Sequence, residues 1–158
     1  MINLHKINEL IRQDQELIKQ YTNQQITLDE WKDESRKVSL AFLQIINGDG
    51  FYYMDVVPDE IYRTVITLSL HLDLIDMKKV FDKYIENASL KQVKNEHRVM
   101  FIDKIRILSG KQQLYGTQYK KINGKIELLP TEDIDNLDNR RKELGLPDIS
   151  DYFKTINY

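Results

Sequence analysis

The sequence predicts a mainly α fold: an antiparallel helical bundle of about five helices, with a C-terminal β-hairpin at about residues 115–129 and a short final helix. Three observations predict it. Apolar residues recur every three or four positions between residues 4 and 108, the period of helices that bury one face. Thr27-Leu-Asp-Glu30 and Ser89-Leu-Lys-Gln92 read as capping boxes, in which a hydroxyl and a carboxyl or amide side chain satisfy the free amides of a helix start. After Gly110 the helical period stops, and two short segments flank Asn123-Gly124, the dipeptide best suited to the positive φ angles of a type I′ turn.

Each element follows from its own residues. Leu4, Ile7, Ile11, Ile18 and Tyr21, widened by Leu10 and Leu17, make the stripe of the first helix. The second starts at the Thr27 box, buries Trp31, Val38, Phe42, Ile45 and Ile46, and stops near Asn47 at Gly48-Asp-Gly50. Residues 51–57 form a connecting loop. Pro58 suits the first turn of a third helix, whose stripe is Ile61, Val65, Leu68, Leu72 and Ile75. A bend near Asp76 leads to a fourth, with Val80, Phe81, Tyr84 and Ile85. The fifth runs from the Ser89 box to Gly110 through Leu90, Val93, Met100, Phe101, Ile105 and Leu108. Pro130 ends the hairpin, residues 135–144 form a short helix stopped by Gly145, and an irregular tail from Leu146-Pro147 carries Tyr152, Phe153 and Tyr158.

Composition narrows the class. With 158 residues, 41% hydrophobic and 30% charged, the chain reads as one globular domain over residues 1–158, without repeats or low-complexity linkers. A net charge of −2 with interleaved acids and bases argues against general nucleic-acid binding. The absence of cysteine removes disulfides, thiolate metal sites and a cysteine nucleophile, and fits a reducing compartment. The charged N-terminal segment has no continuous apolar run, so neither signal peptide nor membrane span is expected and a soluble, cytoplasmic protein is.

A few polar residues stand where apolar ones would be cheaper. Asp14 interrupts the first helix's stripe among Leu10, Ile11, Leu17 and Ile18, and a carboxylate there needs a cation, a donor or an edge position. His71, at the margin of the third stripe, and His97, within the fifth, are core histidines or acid–base groups. Asp103 reads alone as a surface acid paired with Arg106. The segment from Gly110 through Lys111, Gln112, Gln113, Tyr115, Gly116, Thr117 and Gln118 offers amide donors and acceptors with close backbone approach, or a loop whose glutamines cap the backbone. It is not a phosphate loop, since Gly-Lys is not followed by Ser or Thr. Of the adjacent Arg140 and Arg141, one can face inward as a fork for Asp14, Asp103 or a ligand's carboxylate or phosphate. No motif assigns a metal ligand or a cofactor.

Asp14-Gln15, His71, Asp103 ahead of Gly110, the run Gln113-Leu-Tyr-Gly-Thr-Gln118, and Asn139-Arg-Arg with Gly145-Leu146 and Tyr152 together resemble a bacterial family of unknown function, over nearly the whole chain. Leu70 and Lys104 depart from the Gln and Arg usual there. The resemblance implies one polar pocket of Asp14, His71, Asp103, Gln113, Tyr115, Gln118, Arg140 and Arg141, with no activity attached. Two readings follow. In the first, this is a small-molecule or nucleotide pocket, hydrolytic in class, with His71 and Asp103 catalytic and the other six binding ligand. In the second, the same residues anchor the hairpin of a protein-interaction module, an immunity or antitoxin-like partner, with exposed aromatics around Phe51, Tyr52, Tyr53 and Tyr119.

Overall fold

The computed structural model describes residues 4–48, 59–86, 88–89, 91, 93–122 and 125–156. It is mainly α with one two-stranded antiparallel hairpin, as predicted. The chain forms two compact units, Met1–Ala88 and Ser89–Tyr158.

In the first unit, α1 (Leu4–Thr22) turns through Gln24, at a left-handed φ of 57°, into α2 (Leu28–Gly48). The Thr27 capping box forms: Thr27 N donates to Glu30 Oε2 at 2.8 Å, and Glu30 N donates to Thr27 Oγ1 at 3.3 Å. Helix α3 (Asp59–Ser69) follows, then α4 (Leu74–Val80), which runs on into a π turn at Phe81–Ile85. Pro58, the expected loop at 51–57, Asp49 and Gly50 lie outside the described residues. The bend between α3 and α4 comes at residues 70–73, earlier than the apolar spacing suggests, because the Asp73 carboxylate accepts from Asp76 N at 3.0 Å and starts a new helix. His71 therefore sits in this bend, not on α3, and Ile75 turns outward at 68% exposure. Ile7, Leu10, Val38, Phe42, Val65, Ile66, Leu68, Leu72, Met77, Val80, Tyr84 and Ile85 are buried. Ile18 and Tyr21 of the expected α1 stripe are exposed.

The second unit opens with α5 (Asn95–Leu108), capped by Lys94. Ser89 makes a single turn, its carbonyl accepting from Val93 N at 2.8 Å, before the helix proper; Leu90 and Gln92 of the second box lie outside the described residues. Gly110 takes a φ of 73° at the helix end, as a stop residue should. Strands β1 (Tyr119–Ile122) and β2 (Lys125–Leu128) pair with Tyr119 opposite Leu128 and Ile122 opposite Lys125. The strand begins four residues later than expected, because residues 113–118 wrap around a buried side chain instead; the Asn123-Gly124 turn lies outside the described residues. A 3₁₀ turn at Ile134–Asn136 leads into α6 (Leu137–Glu143), ended by Gly145. The tail is not irregular: residues Ile149–Ile156 form α7, whose first turn is tied to α6 by Ile149 N donating to Asp138 Oδ1 at 2.8 Å. Val93, Val99, Phe101 and Leu137 are buried apolar residues of the second unit. Among the described residues no helix is long and apolar enough to cross a membrane.

Candidate functional site

The predicted polar residues fall into one group in each unit. In the second, α5 carries Asp103 into full burial, and residues 114–117 close over it. Asp103 Oδ1 accepts from Leu114 N at 2.8 Å and Tyr115 N at 3.0 Å; Oδ2 accepts from Thr117 N at 3.0 Å and Thr117 Oγ1 at 2.9 Å. Such a ring of donors is what a buried carboxylate needs. It requires the backbone to reverse at Gly116, whose φ is 71° and whose missing side chain leaves room for Ile149, Leu137 and Leu128. Asp103 does not pair with Arg106, which instead binds Glu132 and donates from Nε to Gln112 O at 2.7 Å.

Gln113 and the two arginines complete this frame. Fully buried Gln113 donates from Nε2 to Gln118 O at 2.8 Å and Leu129 O at 2.9 Å, and its Oε1 accepts from Gln118 N at 2.8 Å, so one side chain ties the loop to the end of β2. Arg140 donates to the carbonyls of Leu114, Asp133 and Glu132. Arg141, 2% exposed, donates from Nε to Pro147 O at 2.7 Å and from Nη1 to Tyr115 O, and lies 4.9 Å over the Tyr152 ring. The inward arginine thus meets neutral carbonyls, not the carboxylate expected of it. Burial lowers its pKa, and burial raises that of the Tyr152 phenol. Gln118 donates from Nε2 to Thr117 Oγ1 at 3.2 Å, and Tyr115 contributes its amide and carbonyl. His97 is buried on α5 beside Glu96, 3.5 Å away.

Asp14 and His71 meet in the first unit. Asp14 on α1 is 0% exposed, and its Oδ1 lies 3.4 Å from His71 Nδ1, within ion-pair distance but outside hydrogen-bond geometry. Neither Asp14 oxygen accepts a hydrogen bond. Trp31 stands edge-on to the His71 ring with centroids 5.6 Å apart, and Tyr21 is 5.6 Å from Trp31 on its other side. Ser35 and Ser39 lie about one and two helical turns beyond Trp31 on α2. Both serines are buried on the Trp31 face of α2, and neither hydroxyl has a partner; nor does Trp31 Nε1 or His71 Nδ1. Ser69 shows the usual outcome for a buried helical serine, donating to Val65 O at 2.8 Å.

Among the described residues the first unit therefore holds buried atoms of a carboxylate, an imidazole, two hydroxyls and an indole N–H that make no hydrogen bond, the first two standing at ion-pair distance from each other. The His71 side chain is 20% exposed while Nδ1 is buried, so the exposed part of the ring lies away from Asp14. Trp31, Ser35 and Ser39 were not singled out from sequence. The signal was available: Ser35 and Ser39 follow Trp31 at helical spacing in the apolar stripe of α2, as Asp14 does in that of α1. Among the described residues no three His, Asp or Glu side chains are grouped as a metal ion would need. Comparison of the chain with family models, with curated proteins and with solved structures finds no match.

Proposed function

We propose that the protein binds a small molecule or nucleotide at His71 and acts on it by proton transfer, hydrolytic in class. One observation carries the proposal: Asp14 is as deeply buried as Asp103, yet Asp103 is ringed by donors and Asp14 has none except the ion-pair contact with His71. Burying a carboxylate so costs several kcal/mol, roughly, unless it is compensated. A chain that needed only to pack would place an apolar residue there. The contact brings the carboxylate within ion-pair distance of the imidazole's Nδ1 edge, and in this reading Nε2, on the other side of the ring, is the base.

In this reading His71 Nε2 takes a proton from water as the water oxygen bonds to an acyl or phosphoryl centre. The bond to the leaving group then breaks, and the leaving group takes that proton back from the imidazolium. Asp14 is the positioning residue. The Trp31 ring beside His71 supplies an apolar face for a flat group such as a nucleobase. Asp103, Gln113 and Arg140 hold the loop of the second unit and take no part, their polar atoms being occupied by backbone.

Thermal unfolding of wild type and His71→Ala against nucleotides, sugar phosphates, amino acids and divalent metals tests this, because a ligand of the native state raises the midpoint by mass action. A shift in wild type that His71→Ala abolishes, with turnover of that compound lost in the same variant, supports the proposal. No shift from any compound, with His71→Ala changing stability alone, overturns it.

A further inference from the structure

The second unit carries a separate feature, a pocket of about 150 Å³ lined by Arg141, Thr117, Tyr152, Glu96, Thr155 and Val99, with Leu146 and Pro147 closing its wall. We propose that this pocket is a binding site for the carboxylate of a small aliphatic acid, which docks on the guanidinium of Arg141. The inference is independent of the Asp14–His71 reading.

The state of Arg141 is the main argument. Its Nε and Nη1 are fixed on the carbonyls of Pro147 and Tyr115, and Tyr152 covers one face, so the guanidinium plane is held in one orientation. Carbonyls satisfy N–H groups but do not neutralise charge. Among the described residues no carboxylate lies within ion-pair distance of Arg141, although the side chain is nearly fully buried. Its Nη2 makes no hydrogen bond and is not among the atoms shut away from solvent without a partner. Because Arg141 lines the pocket, that free edge is the part of the fork left for a ligand. The Nη2 N–H groups of a charged guanidinium donate a charge-assisted hydrogen bond to an oxyanion's oxygen.

Size, walls and rim choose among oxyanions. The volume exceeds what one or two waters occupy but falls below that of pockets enclosing drug-sized ligands, so it suits a small molecule or one terminal group. Val99, Leu146 and Pro147 offer apolar surface to a short alkyl tail, which inorganic phosphate cannot use. Glu96 stands on the rim, 52% exposed, and repels a dianion more than a monoanion.

The test is an NMR titration of the folded, ¹⁵N-labelled full chain with acetate, butyrate and inorganic phosphate, following the Arg141 Nε–H resonance. The expected result is a saturable shift with carboxylates, tightening about fourfold per added methylene from acetate to butyrate. Glu96→Gln should tighten butyrate binding by about threefold through loss of a like charge. Thr155→Trp, a change at an exposed pocket residue, should abolish the shift and leave the unfolding midpoint within a degree or so of wild type, roughly. An Arg141 resonance that does not move, or that moves equally with chloride and without saturation, overturns the site. Tighter binding of phosphate than butyrate overturns the carboxylate assignment, and unchanged binding in Thr155→Trp overturns the location.

Discussion

The contrast between the two buried aspartates predicts opposite responses to one substitution, Asp→Asn. In Asp103→Asn one oxygen is kept and an NH₂ is turned toward two donors, Thr117 N and Thr117 Oγ1 if Oδ2 is the atom replaced. Each buried donor left unmet costs about 1–3 kcal/mol, so the loss should be about 2–6 kcal/mol, a large part of the ~5–15 kcal/mol that holds a typical domain. In Asp14→Asn no donor is orphaned, because neither oxygen accepts one. With His71 charged, the attraction lost at 3.4 Å is about 5 kcal/mol in an effective dielectric near 20, but removing the carboxylate also removes a desolvation cost of several kcal/mol. The His71 side chain is 20% exposed, so the group left behind is in part solvated. The net expectation is a change between about zero and 2 kcal/mol in favour of the variant. Urea unfolding measures both. The single tryptophan, Trp31, lies in the first unit and reports on Asp14→Asn by fluorescence, while far-UV circular dichroism follows Asp103→Asn. A loss of more than about 2 kcal/mol in Asp14→Asn at an unchanged m-value would falsify the claim that Asp14 is held at a cost to the fold.

Three further outcomes follow from particular contacts. Gly116→Ala should destabilise the second unit by about 1–2 kcal/mol, since the residue has a φ of 71° and its new Cβ would come 2.9 Å from Ile149 Cδ1; chemical denaturation checks it. The Glu30 carboxyl is held below its ordinary value of 4.5 by the Thr27 amide first and the Thr27 hydroxyl second. Its folded-state pKa is depressed, so its contribution is present above pH 4.5 and fades as pH falls through the lower folded value; Glu30→Gln should flatten the acid limb of a midpoint-against-pH plot. Burial raises the Tyr119 and Tyr152 phenols above 10, so they ionise later than a free tyrosine. Unfolded tyrosines ionise first, and stability should therefore fall as pH rises past about 10. Phenolate absorbance should show a late phase that shrinks in both Tyr119→Phe and Tyr152→Phe, and a single phase at the free-tyrosine value would refute the assignment.

Periodicity read the helices well because a stripe at helical spacing is a local property of the chain. Thr27 and Glu30 placed the start of α2 for the same reason: a cap is made within four residues. What periodicity missed were competitions between local structure and long-range contacts. Residues 115–118 alternate plausibly as strand, but the Asp103 carboxylate, on a helix ended well before them, draws their amides into a loop. Asp148 is a cap-type residue directly ahead of residues 149–156, and α7 starts there with Asp138, from a neighbouring helix, accepting from Ile149 N. Ile75 belongs to an unbroken stripe on paper, yet the Asp73 cap restarts the helix and rotates it outward.

The candidate site was legible only as a list of misplaced polar residues, because spacing marks a carboxylate as buried without saying what meets it. In sequence Asp14 breaks an apolar stripe while Asp103 reads as a surface acid beside Arg106, yet both are fully buried. The difference lies in donors from elsewhere: three amides and a hydroxyl for Asp103, a single imidazole edge for Asp14. The same holds for the arginines, where sequence offers two forks and the structure commits most of Arg140 to carbonyls while leaving one edge of Arg141 open on a pocket. Folding stability favours satisfying every buried polar group. Among the described residues Asp14 departs from that rule where Asp103 obeys it, and His71 Nδ1 stands within ion-pair distance of it.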